Sequence, residues 1–206
     1  MIVIPISNDK PFTLISGPCQ LQDEDHCLFM VDKLLSLTNK LDIPFVFKTS
    51  FDKANRTSVH SKRGVGLNEA INIFWKLKRK FPQIRILTDV HETVQVDYLK
   101  DVVDILQPDI NWVGGLTTCY KIDAIDETAG KKVMLHAGGR NPYGQHFSHA
   151  LSCVPWLEYF VRGAPGIPLE ETIDVPDQKI PKDGWMELDD RPGFGLGIEE
   201  SWLSPY

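Results

Sequence analysis

Short apolar runs alternate with helically spaced apolar positions through the first half of this 206-residue chain. Residues 12–16 predict a strand ending in Gly17-Pro18-Cys19, and residues 25–41 carry Leu28, Val31, Leu34, Leu35 and Leu37 at helical spacing. A strand over 45–47 runs into Lys48-Thr49-Ser50-Phe51, an amphipathic helix follows over 67–81, and a strand over 84–87 ends in Thr88-Asp89-Val90-His91. A short helix over 93–100 and a strand over 102–106 complete this half. The rhythm continues with a helix over 119–130, a strand over 132–135 ending in His136, and a further strand over 156–161. Regular βα alternation predicts an α/β fold, an incomplete or rearranged TIM-type (β/α) barrel of about six parallel strands.

From Gly163 the alternation stops. Proline recurs at 165, 168, 176, 181, 192 and 205, and Gly193-Phe194-Gly195-Leu196-Gly197 lies near the end, which predicts an irregular, turn-rich tail over 163–206. The chain thus divides at 1–107, 108–162 and 163–206, with the first two segments sharing one domain.

Composition sharpens that division. Residues 1–107 hold 14 Lys+Arg and 13 Asp+Glu, whereas 108–206 hold 8 and 15; glycine rises from 3 to 12 across the same boundary. The overall charge of −6 argues against a nucleic-acid surface. No apolar run is long enough for a bilayer-spanning helix, and the first ten residues, interrupted by Pro5 and Asp9, lack the basic-then-apolar pattern of a secretory signal. A cytoplasmic location is expected, with Cys19, Cys27, Cys119 and Cys153 as free thiols, since none are spaced as CxxC.

Polar residues just past strand ends are the candidates for chemistry. Lys48, Lys53 and Arg56, interleaved with Ser50, Asn55, Thr57 and Ser58, suit a phosphate: cations supply charge, and hydroxyls and amide supply directional hydrogen bonds. A basic loop is otherwise a solvated face. Here the surrounding strings are specific. Gly17-Pro18-Cys19, the run from Phe47 through Lys48, Ser50, Lys53, Asn55, Arg56 and Thr57 to Ser58, Arg63-Gly64-Val65-Gly66-Leu67 and Leu87-Thr88-Asp89-Val90-His91-Glu92 resemble 3-deoxy-D-manno-octulosonate 8-phosphate synthases over residues 12–107. That resemblance implies an aldol-type condensation of phosphoenolpyruvate with arabinose 5-phosphate. It would set Lys48 and Lys53 toward phosphoenolpyruvate, Asn55, Arg56 and Thr57 toward the sugar phosphate, and Asp89 toward the sugar hydroxyls. Cys19 matches the position that ligates a divalent metal in one branch of the family, as a single possible ligand. The family's later Lys, Arg and metal-binding groups have no match after Gln107.

In the second half, Asp109 and His136 follow adjacent predicted strands, so the carboxylate could orient the imidazole for proton abstraction. The run from Leu106-Gln107-Pro108-Asp109 through Asn111-Trp112-Val113-Gly114-Gly115 to Thr117, with His136-Ala137-Gly138-Gly139, Pro155-Trp156-Leu157-Glu158-Tyr159-Phe160 and Arg191-Pro192-Gly193-Phe194-Gly195, resembles acid-sugar dehydratases of the enolase superfamily, the rhamnonate type in particular, over 105–206. The resemblance implies an Asp109–His136 dyad, Glu158 as acid, a tail from part of a capping domain, and Mg²⁺ whose carboxylate ligands lie on strands this chain does not carry.

The sequence therefore looks like a chimera of two barrel halves, with neither ligand set complete. A divalent metal is conceivable but short of ligands, and no nucleotide cofactor is expected. The partners expected are a phosphorylated small molecule or a sugar acid, and further copies of the chain, with neither nucleic acid nor membrane. Synthase-like activity ranks first, dehydratase activity second, and a non-catalytic scaffold is the reading from a different class.

Overall fold

The computed structural model describes residues 4, 6–54, 56, 58, 60–161, 166–173 and 177–203. Five parallel strands form one sheet in the order in which they are made: β1 (Leu14–Ser16), β2 (Phe45–Lys48), β3 (Arg85–Val90), β4 (Ile105–Pro108) and β5 (Lys132–Val133). The connections are α1 (Glu24–Lys40), α2 (Leu67–Lys80), α3 (Thr93–Leu99) and α4 (Leu116–Thr128), with α5 (Pro142–Ala150) after β5.

Local chemistry sets the helix starts. Asp23 caps α1 by accepting from the His26 N–H at 2.8 Å, with Glu24 and Asp25 in the first turn and Lys40 in the last, as the helix dipole favours. Glu92 and Gln95 form a reciprocal capping box on α3.

Strand alternation divides the core into two layers. Phe47, Ile86, Leu106, Val133 and Leu135 pack with helix residues such as Val31, Ile73, Phe74, Val96 and Ile122. Val46, Leu87, Ile105 and Met134 face the other way and are covered by Ile4, Ile6, Ile15 and Trp156. The second set is the inner layer of a barrel that does not close. A groove lined by Phe12, Ile15, Leu151, Trp156 and Trp185 lies along the open side.

Among the described residues the sheet has five strands, not six. Residues 156–161 form no ladder because β5 offers only a two-residue strand before the chain turns through Gly138–Arg140, and Pro155 lacks an N–H at the start of the segment. Single bonds still tie this part of the chain to its neighbours: Val133 N–H on β5 donates to the Cys153 carbonyl, just before the segment, at 2.9 Å, and Gly139 N–H donates to the Glu158 carbonyl, within it, at 3.0 Å. β4 also starts later than its apolar run predicts, since the Val102 and Val103 N–H groups close the turn after α3 by donating to the Leu99 carbonyl. The sequence reading leaves out α5, although Asn141 accepts from Gly144 N–H at 2.6 Å as its cap and Pro142 occupies its first turn.

The tail consists of short 3-10 turns that fold back on the chain. Gln178 Nε2 donates to the Arg140 carbonyl at 2.7 Å, Gln145 Nε2 donates to the Lys179 carbonyl at 2.9 Å, and Phe194 packs on Tyr143 and His146. Arg191 binds Asp189, Asp177 and the Gly195 carbonyl, and this holds the Asp189 carboxyl well below its usual range. No helix among the described residues is long and apolar enough to cross a membrane.

Candidate active site

The period of two that buries the inner layer also builds the site. Two residues past Val46, Leu87, Ile105 and Met134 stand Lys48, Asp89, Gln107 and His136, so four neighbouring strands each lift a polar side chain above an apolar one. The pairing continues past the end of β5, where Met134 N–H donates to the Leu106 carbonyl and His136 N–H to the Pro108 carbonyl, both at 3.0 Å. His136 is thereby set beside Asp109. Lys53, Ala54, Asp89, His91, Gln107, Asp109, Trp112 and His136 line one cleft at these strand ends.

Lys53 reaches the cleft from a pinned loop. Its N–H donates to the Arg63 carbonyl at 2.7 Å, Gly66 N–H donates to the Phe51 carbonyl at 3.1 Å, and Arg63 forms a two-pronged ion pair with Asp52, both contacts 2.7 Å. A Cβ on Gly64, whose φ is +124°, would stand 2.3 Å from the Phe51 carbonyl oxygen, so this closure requires glycine. Gly17 likewise lets β1 end against the Lys48 carbonyl, 2.1 Å from where a Cβ would fall.

Charges in the cleft are paired. Lys53 Nζ lies 3.3 Å from Asp89 Oδ2, which also accepts from the Ser50 hydroxyl, while Asp89 Oδ1 is buried without a partner. Lys48 Nζ is 3.6 Å from Glu158, whose other oxygen accepts from Ala137 N–H at 2.6 Å. Ala137 is held at a φ of 50°, a strained conformation for a residue with a Cβ, immediately after His136. His136 Nδ1 is 3.3 Å from Asp109 Oδ2, an ion-pair distance without hydrogen-bond alignment. Asp109, then Glu158 and Asp89, raise the His136 pKa above its ordinary value; burial and Lys48 oppose them.

The structure thus gathers Lys48, Ser50, Lys53, Asp89, Asp109, His136 and Glu158, from both halves of the chain, in and beside one cleft. Cys19 is exposed and does not line the cleft, and Arg56 is exposed on the loop. Asn55 and Thr57 lie outside the described residues. Sequence reasoning passes over Gln107 and Trp112. Gln107 was detectable as a polar residue in phase with the inner-facing Ile105, whereas nothing local marks Trp112.

These donors do not suit a divalent cation. Among the described residues no three His, Cys, Asp or Glu side chains come close enough to hold a metal ion, and Asp89 and Asp109 are each committed to a cation or imidazole.

Known proteins divide along the same chain. It is 55% identical over 104 residues to 2-dehydro-3-deoxyphosphooctonate aldolase of Rickettsia rickettsii (strain Sheila Smith), a match covering 50% of this chain and 38% of that protein. The proteins of the same name from Rickettsia typhi (strain ATCC VR-144 / Wilmington) and Rickettsia prowazekii (strain Madrid E) are 54% and 52% identical, over the same shares of each chain. The chain spans about 38% of the length of these curated relatives. Residues 3–109 match the DAHP synthetase I family and residues 88–202 match the enolase C-terminal domain-like family, so the two matches share 88–109, the end of β3 through β4. With each match covering more than half of its length, the chain belongs to the DAHP synthetase I family through its first half and to the enolase C-terminal domain-like family through its second.

Proposed function

We propose that this protein is a 3-deoxy-D-manno-octulosonate 8-phosphate synthase-like protein that binds the phosphorylated carboxylate substrate of that reaction class with an incomplete catalytic set. The observation that carries this reading is the placement of Lys48 at the end of β2 and Lys53 on the pinned loop that follows, in the half of the chain that is similar to the Rickettsia aldolases. Two ammonium groups 25% and 13% exposed, each against one carboxylate, make an anion site in which an incoming phosphate or carboxylate competes for partly desolvated cations. Titration calorimetry with phosphoenolpyruvate and with arabinose 5-phosphate tests this. Heat is expected from phosphoenolpyruvate, with affinity about 10-fold or more weaker in Lys53→Met; silence from both ligands refutes the reading.

The Asp109–His136 contact favours a second reading, an acid-sugar dehydratase with His136 as base and Glu158 as acid. It ranks below the first because the donors in the cleft do not suit the Mg²⁺ such chemistry uses. A keto product that forms from a panel of sugar acids only with Mg²⁺, and disappears in His136→Asn, would reverse the order.

A further inference from the structure

Among the described residues, no group forms a hydrogen bond with the side-chain amide of Gln107. The residue is 1% exposed, neither Nε2 nor Oε1 has a hydrogen-bond partner, and it stands in the cleft wall, in register with Asp89 on β3 and two residues before Asp109. A buried amide left unpaired in the wall of an open cleft calls for a bound group that accepts and donates there. The same cleft holds a cation from the first half, Lys53, and a carboxylate-backed imidazole from the second, His136.

With Nδ1 facing Asp109, Nε2 is the nitrogen left to act as base. What such a base can remove depends on where the electron pair goes. Beside a carboxylate it would create a dianion, which needs a multivalent cation that these donors do not suit. Beside the keto group of a 2-keto acid the new charge falls on one oxygen, apart from the carboxylate that already carries its own, so one ammonium and one amide N–H can hold it.

We propose that the cleft exchanges the proton on the carbon next to the keto group of a small 2-keto acid without a metal ion, with His136 as base, Asp109 orienting it, and Lys53 and the Gln107 amide holding the enolate oxygen. The C–H bond breaks, its proton passes to His136 Nε2, its electron pair forms the C=C bond, and the carbonyl π pair moves onto oxygen. Reversal delivers a solvent-exchanged proton to the same carbon, so no oxidant, reductant or leaving group is needed. Each half of the chain supplies part of this set; the activity shares Lys53 with the synthase-like reading but does not depend on that reading.

The test is proton NMR of pyruvate and of 2-oxobutanoate in D₂O with EDTA present. The full chain is expected to wash out the hydrogens beside the keto group above the buffer rate, and His136→Asn and Lys53→Met each to lower that rate at least about 100-fold. Melting curves report whether the variants fold. If they do not, the wild-type pH profile decides, because the rate must climb with pH as His136 loses its proton and then level off. Wash-out at the buffer rate, wash-out abolished by EDTA, wash-out unchanged in folded variants, or a rate flat in pH each overturns the proposal. Absent wash-out with phosphoenolpyruvate still binding removes this activity alone; wash-out without binding heat removes the synthase-like reading alone.

Discussion

Asp126→Asn is expected to flatten the pH dependence of stability: between pH 5 and pH 8 the wild type should lose about 2–3 kcal/mol more than the variant. Asp126 lies on α4, is fully buried, and has no hydrogen-bond partner among the described residues for either carboxylate oxygen. Burial, and then the charge of Asp123 one turn earlier, push its pKa from 3.8 up to about 7, against the pull of Lys131. Asp123 is itself raised, chiefly by burial, with Glu127 adding to it and Lys132 opposing. Cys153, which faces this pair, has its thiol pushed up to about 12. Because the folded pKa exceeds the unfolded one, the native state holds the extra proton; stability is full below about pH 4, falls as pH rises, and levels off above about pH 7. Urea titrations of both proteins at several pH values measure the difference. Parallel pH profiles would mean that the carboxylate is solvated or paired in the folded protein.

Asp104→Ala should cost about 3–5 kcal/mol, seen as a fall in melting temperature of roughly 10 °C or more. Asp104 sits at the entrance to β4, where its carboxylate takes the Ile86 N–H at 2.8 Å and the Lys78 ammonium, joining α2, β3 and β4. Lys78 is largely buried, and burial lowers its pKa despite Asp104. Removing the carboxylate leaves that ammonium without its counter-charge, held only by the Ile84 carbonyl at 2.9 Å among the described residues. Lys78→Met combined with Asp104→Leu should recover much of the loss, leaving about 1–3 kcal/mol for the unpaired Ile86 N–H. Equal destabilisation of the single and double variants would place the cost elsewhere.

Much of this was legible in the chain because the dominant signals are periodic. The apolar phase of 45–47, 84–87 and 102–106 found three inner strands, and the polar residues beyond them found Lys48, Asp89 and Asp109. Three features were not. Residues 156–161 are as apolar as a strand, but whether they pair depends on how long β5 stays extended, which is set by the turn at Gly138–Arg140. Helix α5 is short, and its buried face includes Pro142, Gly144, Gln145 and Ser148 beside Phe147, so it gives little apolar periodicity to read. Gln107 resembles any polar strand residue until the register places it opposite Asp89, with its amide enclosed and unpaired. The step in charge and glycine near Gln107 was visible, and so was the overlap of the two resemblances at 105–107, within β4; the family matches widen that overlap to 88–109.

Because spatial order equals sequence order across the sheet, each strand needs only the one made just before it. During synthesis the first four strands can assemble while the rest of the chain is still being made, with short loops to close and little opportunity for wrong pairing. The steps that must wait are the few that return to the beginning: the Trp156 indole donating to the Ile6 carbonyl at 2.9 Å and Asn8 Nδ2 donating to the Gly184 carbonyl at 2.7 Å. Until these form, the inner layer of Val46, Leu87 and Ile105 stands open to water. The interval between making β4 and placing Trp156 is therefore when the nascent chain most needs a chaperone.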